Sequence, residues 1–232
     1  MEFTKSEIIT RIRLILDEIG LNESDFETGN DEQDLDTLIE GFTLEALRFV
    51  NIGAPPELLA ADAKLSTYSS NYSSEEGVIR GTEIGVFSGV EKFLRLVCAR
   101  CSAWGKPVYD TIHEGSPAWD KLSNRYLTGT VEDPRVSVGK SHTGLEVEGY
   151  DKAEIRLYCL PKANKEPLVA EVYYMEQPSW KEDKLRVSYL LQDAFHYYLA
   201  YLVLMALGDQ RAEIALQQAH PLMGIKKEER ND

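Results

Sequence analysis

Cys98 and Cys101 stand in a Cys-x-x-Cys spacing, the local signature of zinc ligation or dithiol redox chemistry. Zinc wants a second such pair or histidines close by, and neither follows here. On a strand, residues three apart point to opposite faces, so this pair cannot chelate jointly without a bend. Two buried strand cysteines are the better reading. With Cys159 the chain has three cysteines, which suits a reducing compartment and no disulfide framework.

Carboxylates offer a second chemistry. From Glu23 to Asp36 there are seven acids and no base. A calcium loop needs ligands at alternating positions around a central glycine, and Gly29 sits outside that register. A solvated linker feeding the positive end of the next helix is the simpler account. Asp34 and Asp36 have a metal-binding spacing, but Leu35 between them begins an apolar helix stripe. Gly81, Gly85 and Gly89 are four apart, and no Gly-Lys-Ser/Thr follows them at phosphate-loop spacing, so they read as strand ends, bulges and turns. His113, His142, His196 and His220 are scattered. His196 falls on an apolar helix and reads as a satisfied core or interface residue. His142 lies in a Gly-Lys-Ser-His-Thr-Gly loop with no paired nucleophile or base. Phe195, Tyr197, Tyr198 and Tyr201 could stack nucleobases, but no basic residues accompany them, so a helix core or subunit interface fits better. These spacings assign no catalytic, cofactor-binding or metal-ligating residue. No metal or cofactor is expected.

The elements that would position these groups fall into three stretches. Thr4-Lys5-Ser6-Glu7 has the form of a capping box, followed by Ile8, Ile12, Ile15 and Ile19 on one helical face and a stop at Gly20. Leu35, Leu38, Ile39, Phe42, Ala46, Phe49 and Val50 build the stripe of a second helix, which Gly53 and Pro55-Pro56 end. Residues 57–64 are read as a short further helix, and the Ser/Tyr-rich stretch 66–76 as a connector. From Gly77 to Glu176 the period becomes two: Leu145 and Val147, then Ile155, Leu157 and Cys159, alternate with polar residues as half-buried strands do. Further strands are expected at 78–79, 86–87, 93–99, 108–112, 125–127, 135–138 and 168–174. Ser116-Pro117 has the N-cap and N1 residues of a short helix. A long helix is expected over 182–207, with Val187, Leu190, Leu191, Ala194, Tyr198, Tyr201, Leu202 and Met205 inward. A last helix, capped by Asp209, runs through Ala219. The expected fold is therefore α+β: a bundle made from helical parts 1–65 and 181–220, an inserted and mostly antiparallel β module at 66–180, and a disordered tail at 221–232.

Composition narrows the partners. The formal charge of −14 over 232 residues argues against a grip on nucleic acid or anionic lipid. The N-terminus lacks the pattern of a secretory signal, and the longest apolar run, residues 197–207, is too short to span a bilayer.

Three stretches carry a resemblance to a known family. They are Asp36-Thr37-Leu38-Ile39-Glu40 through Asn51-Ile52-Gly53-Ala54-Pro55-Pro56-Glu57-Leu58-Leu59; Phe93-Leu94-Arg95-Leu96-Val97 with Trp104-Gly105-Lys106-Pro107-Val108 and Asn124-Arg125-Tyr126-Leu127-Thr128-Gly129; and His196-Tyr197-Tyr198-Leu199-Ala200 through Ala206-Leu207-Gly208-Asp209-Gln210-Arg211-Ala212-Glu213. Their order resembles the head–tail connector, or adaptor, proteins of tailed bacteriophages, in particular the neck ring proteins of podovirus-like and crAss-like phages. The resemblance implies a non-enzymatic virion protein, made in the bacterial cytoplasm and built into the phage neck. It implies a homo-oligomeric ring, a dodecamer if it follows portal symmetry, that contacts the portal and neighbouring neck or tail rings. Genomic DNA would be passing cargo, and no membrane would be involved. The β insertion is longer than in the small adaptors, which leaves the ring position open. The rival readings are another tail ring, stopper or hub protein, or a cytosolic α+β enzyme or ligand-binding protein.

Overall fold

The structure is a computed structural model that describes residues 1–20, 32–69, 82–90, 92–122, 124, 129–130, 132–140, 153–161 and 169–225. It is an α+β fold of two compact units, Met1–Ala61 with Pro178–Asp232, and Asp62–Gln177. The expected strands at 78–79, 125–127 and 145–147 lie outside the described residues, as do His142, residues 70–76 and residues 226–232.

In the first unit, strand β1 (Glu2–Thr4) runs straight into helix α1 (Lys5–Glu18). The capping box forms: Thr4 Oγ1 accepts from the Glu7 amide, and the Glu7 carboxylate accepts the Thr4 amide at 2.7 Å. Ile8, Ile12, Ile15 and Leu16 are buried, and Gly20 closes the helix at φ +88. Helix α2 (Glu32–Gly53) buries Leu35, Ile39, Ala46, Leu47 and Val50. Its buried Thr43 hydroxyl donates to the Ile39 carbonyl at 2.6 Å, so it costs the core no unmade bond. A single turn, α3 (Pro56–Leu59), follows.

Two further helices, α5 (Gln192–Ala206) and α6 (Ala212–Leu222), complete this unit. Helix α5 is apolar nearly all round because α1, α2 and α6 all pack on it. Ala212, Ala215 and Ala219 are the buried residues of α6, small enough for a close approach to α5. Gly208, at φ +70, ends α5 in a Schellman motif: its amide donates to Met205 and that of Asp209 to Leu204.

The second unit is a sandwich. One sheet has the order β2 (Lys64–Ser69), β8 (Val169–Glu176), β4 (Phe93–Cys101). The other has β3 (Thr82–Val90), β7 (Ala153–Pro161), β6 (Arg135–Lys140), β5 (Ile112–His113). All pairings are antiparallel except β5 with β6. Leu96, Ala99, Cys101, Ala170, Val172 and Tyr174 from the first sheet meet Phe87, Val136, Val138, Ile155 and Leu157 from the second in one core, as the period of two requires. Helix α4 (Pro117–Leu122), its Trp119 amide bonded to Ser116 Oγ, lays Leu122 and Trp119 against Tyr158 on the outer face of the second sheet.

Several expectations need correction. The long helix starts at Gln192, not 182. Residues 184–186 are a strand, β9 (Lys184–Arg186), paired with β1, and 189–191 are a 3-10 turn. The cause is a hairpin turn: Glu182 and Asp183 both have positive φ, and Lys181 and Lys184 exchange backbone bonds at 2.9 Å. That geometry usually takes Asn-Gly, so Glu-Asp gave no sign of it. Ser66 to Ser69 belong to strand β2 rather than a connector, and the short helix ends at Leu59.

The fold also does not stop at Pro221. Helix α6 runs to Leu222, and a second Schellman closure bonds Gly224 to Pro221 and Ile225 to His220. Met223 is fully buried, and a Cβ on Gly53 would lie 2.7 Å from its Cε. Asp209 does not cap α6. It accepts the Arg211 amide at 2.8 Å and pairs with the Arg211 guanidinium, which also reaches the Gly20 carbonyl.

Candidate functional site

The structure separates most of the residues singled out for chemistry. Cys98 and Cys101 are both buried, on opposite faces of β4. A bulge between Leu96 and Cys98 restarts the alternation, so Leu96, Ala99 and Cys101 all reach the core while Cys98 shares a face with Arg100. Burial pushes both thiols up from their ordinary pKa, the state of an inert thiol rather than a ligand or nucleophile. Asp36 is committed to Arg13, accepting from its Nη2 at 3.1 Å. Gly85 and Gly89 lie within β3, and Gly81 is outside the described residues. His113 is exposed, its Nε2 3.1 Å from Thr111 Oγ1, and His220 is half-buried near the end of α6. Among the described residues no group of three or more His, Cys, Asp or Glu could hold a metal ion. Among them, too, no helix is long and apolar enough to cross a membrane.

What the fold does bring together is an aromatic face on the first unit. Helices α2 and α5 pack side by side, and Tyr198 stacks on Phe49 with ring centroids 4.6 Å apart and planes 7° from parallel. Tyr201, one turn further along α5, lies 5.4 Å from Tyr198. Tyr198 is 6% exposed, and burial, aided by Tyr201 and Glu45, pushes its hydroxyl up to about 12. It is therefore a neutral, mostly apolar body in this setting. Phe49 was expected inside and is instead 48% exposed. Met205, expected on the buried face, is 55% exposed, and Leu190 is exposed as well. Phe42, Tyr201 and Leu202 are half-buried, while Leu191 and Tyr198 are buried as expected.

The reason is geometric. On α2 the buried residues centre on Ile39, Ala46 and Val50, and Phe42 and Phe49 flank that line. On α5, Tyr198, Tyr201 and Met205 follow at intervals of three and four along one stripe. An apolar stripe wider than its covering neighbours spills onto the surface. The width was visible in the sequence; which margin stayed open was not.

His196 is the other finding. It is 1% exposed, and among the described residues neither ring nitrogen has a hydrogen-bond partner. A satisfied core or interface residue was expected: the ring is in the core, but its nitrogens are not hydrogen-bonded there. Phe3 of β1 meets its ring edge-on at 5.3 Å, and Phe195 lies 5.1 Å away. Burial first, then the Arg11 guanidinium, push its pKa down to about 4; Asp193 and the Gln192 carbonyl oppose this more weakly. An open groove of about 390 Å³, lined by Phe3, Ser6, Glu7, Thr10, Arg11 and Leu14, runs along the outer side of α1.

No protein-family model matches the chain, and none of the curated proteins matches it.

Proposed function

We propose that this chain is a structural ring protein of the neck of a tailed bacteriophage. It joins portal to tail as a closed homo-oligomer and lines the exit path of the genome. The observation that carries this reading is the exposed aromatic face of a helical unit assembled from both ends of the chain. Phe49 and Met205 are large side chains at the margin of a finished core, and the apolar patch they belong to is of the kind that marks a protein–protein contact. The resemblance supplies the partner, because in adaptor proteins it is the helical bundle that docks on the portal. Burying apolar surface there would stabilise the contact by roughly 25 cal/mol per Å². The sandwich, inserted between the two helical parts, faces neighbouring copies in this reading. Head-to-tail contacts that close by rotation make the ring. The net charge of −14 suits a conduit that should not retain DNA.

The test is to mix the purified chain with portal dodecamer and measure the mass of the product, with negative-stain images of the same sample. A complex of twelve copies on one portal, with a ring in projection, is the expected result. A chain that ignores the portal but turns over or binds a small molecule would overturn it.

A further inference from the structure

We infer that His196 is an acid-triggered latch, whose protonation releases strand β1 from helix α5. The inference rests on where the ring sits and what surrounds it. As a neutral aromatic body the imidazole packs well: Phe3 covers it edge-on and Phe195 flanks it. As a cation it needs acceptors; among the described residues neither ring nitrogen is hydrogen-bonded, and the Gln192 carbonyl favours the charged ring only weakly.

The charges acting on the ring are two, Arg11 of α1 and Asp193 of α5 itself. Among the described residues β1, α2 and α6 bring none, and β1 contributes the Phe3 ring. Arg11 repels an imidazolium. Asp193 would attract it, but it already accepts from Arg11 Nη2 at 3.4 Å, in a pair that lies about half exposed. A protonated His196 therefore has one way to find an anion. It must swing outward past Phe3 and compete with Arg11 for Asp193, which stands three residues earlier on the same helix.

That movement removes the Phe3 contact of β1 and the Arg11 ion pair, while α1 stays held by its buried Ile8, Ile12, Ile15 and Leu16. The remaining anchor of β1 is slight. It consists of three residue pairs with β9 and the Met1 nitrogen donating to the Val187 carbonyl at 2.7 Å. With so slight an anchor, β1 is the part that gives way. The depressed pKa agrees with the geometry, since the folded state holds the neutral form.

Hydrogen exchange of the full chain, followed by mass spectrometry from pH 7 to pH 4 and corrected for intrinsic rates, tests this. Opening of residues 1–4 should rise about tenfold per pH unit below 6.5, the slope of one linked proton, while residues 192–206 stay protected. His196→Phe should flatten that slope. Should His196→Phe fail to fold, His196→Gln supplies the same reading, with residues 1–4 looser at every pH and no step. The imidazole titration followed by NMR in the unaltered chain is the independent arm. Opening that ignores pH, the same slope in both variants, or an imidazole that titrates while residues 1–4 stay protected would each overturn the latch.

Discussion

The helical unit and the sandwich bury their apolar side chains in opposite ways. In the sandwich the strands alternate apart from the bulges of β3 and β4, two sheets close on each other, and α4 covers part of an outer face. The opposite outer face, on β4 and β8, is finished with polar groups. Arg100 stacks over Tyr173, whose hydroxyl donates to Glu171. Among the described residues only Leu65, Tyr109 and Val169 stand out as large exposed hydrophobics there. In the helical unit one helix is apolar almost all round, and its three neighbours leave part of it open. Leu14, Phe49, Ile52, Met205 and Ile214 are all exposed. A period of two divides residues cleanly between inside and outside. A helical stripe has margins, and those margins are where this chain has apolar surface to offer a partner.

The contrast breaks most sharply at the centre of the helical core. Phe195 is fully buried, so Phe195→Ala should cost about 3–5 kcal/mol, read as a lower urea midpoint by circular dichroism. A loss below about 1 kcal/mol would mean that α5 is not the hub of its unit. Acid should come next. His196 holds a folded pKa of about 4 against an ordinary 6.5, so the folded state favours the neutral ring. Stability is then full above pH 6.5, falls as pH drops through that window, and levels off below about 4. The total is about 3 kcal/mol, at 1.36 kcal/mol per unit. His196→Phe should remove that slope in a urea series run at each pH.

The sandwich has its own sensitive point at Gly139 on β6. A Cβ there would lie 2.9 Å from Trp119 Cη2 and 2.9 Å from Glu114 Oε2. Gly139→Ala must push the indole off the sheet, so it should cost about 1–3 kcal/mol and shift tryptophan emission to the red. An unchanged spectrum at unchanged stability would show that α4 does not seal this face.

Much of this architecture was legible beforehand because its causes are local. The Thr4-Lys5-Ser6-Glu7 box, the stops at Gly20 and Gly208, the stripe of α2 and the alternation of Ile155 and Leu157 each declare themselves within a few residues. What stayed hidden depends on distant partners. The β1–β9 pair joins residues 180 or more positions apart, and β9 is preceded by a Glu182-Asp183 turn whose residue types do not announce it. Met223 is buried because Gly53, far earlier in the chain, leaves room for it. The candidate face was half legible for the same reason. Tyr198 and Tyr201 were visible as an aromatic cluster on one helix, but their contact with Phe49 needs the α2–α5 pairing.

Phe49→Asp should have the smallest effect on the free protein and the most telling one on assembly. The ring is already 48% exposed, so the folded chain loses chiefly its stacking on Tyr198, worth about 0.5–1.5 kcal/mol. Helix α2 can carry the carboxylate, because that side of it already faces water. A contact that buries Phe49 behaves differently, because an unpaired carboxylate cannot enter an apolar interface without a penalty of several kcal/mol. The variant should therefore show a urea midpoint close to that of the unaltered chain and fail to load onto the portal in a mass measurement. Tyr109→Asp, at an exposed aromatic of the sandwich, serves as the matched control and should load normally. If Phe49→Asp assembles as well as the unaltered chain, the aromatic margin of the helical unit is not the docking face. If it unfolds, the stripe is narrower than its exposure implies, and Phe49 belongs to the core after all.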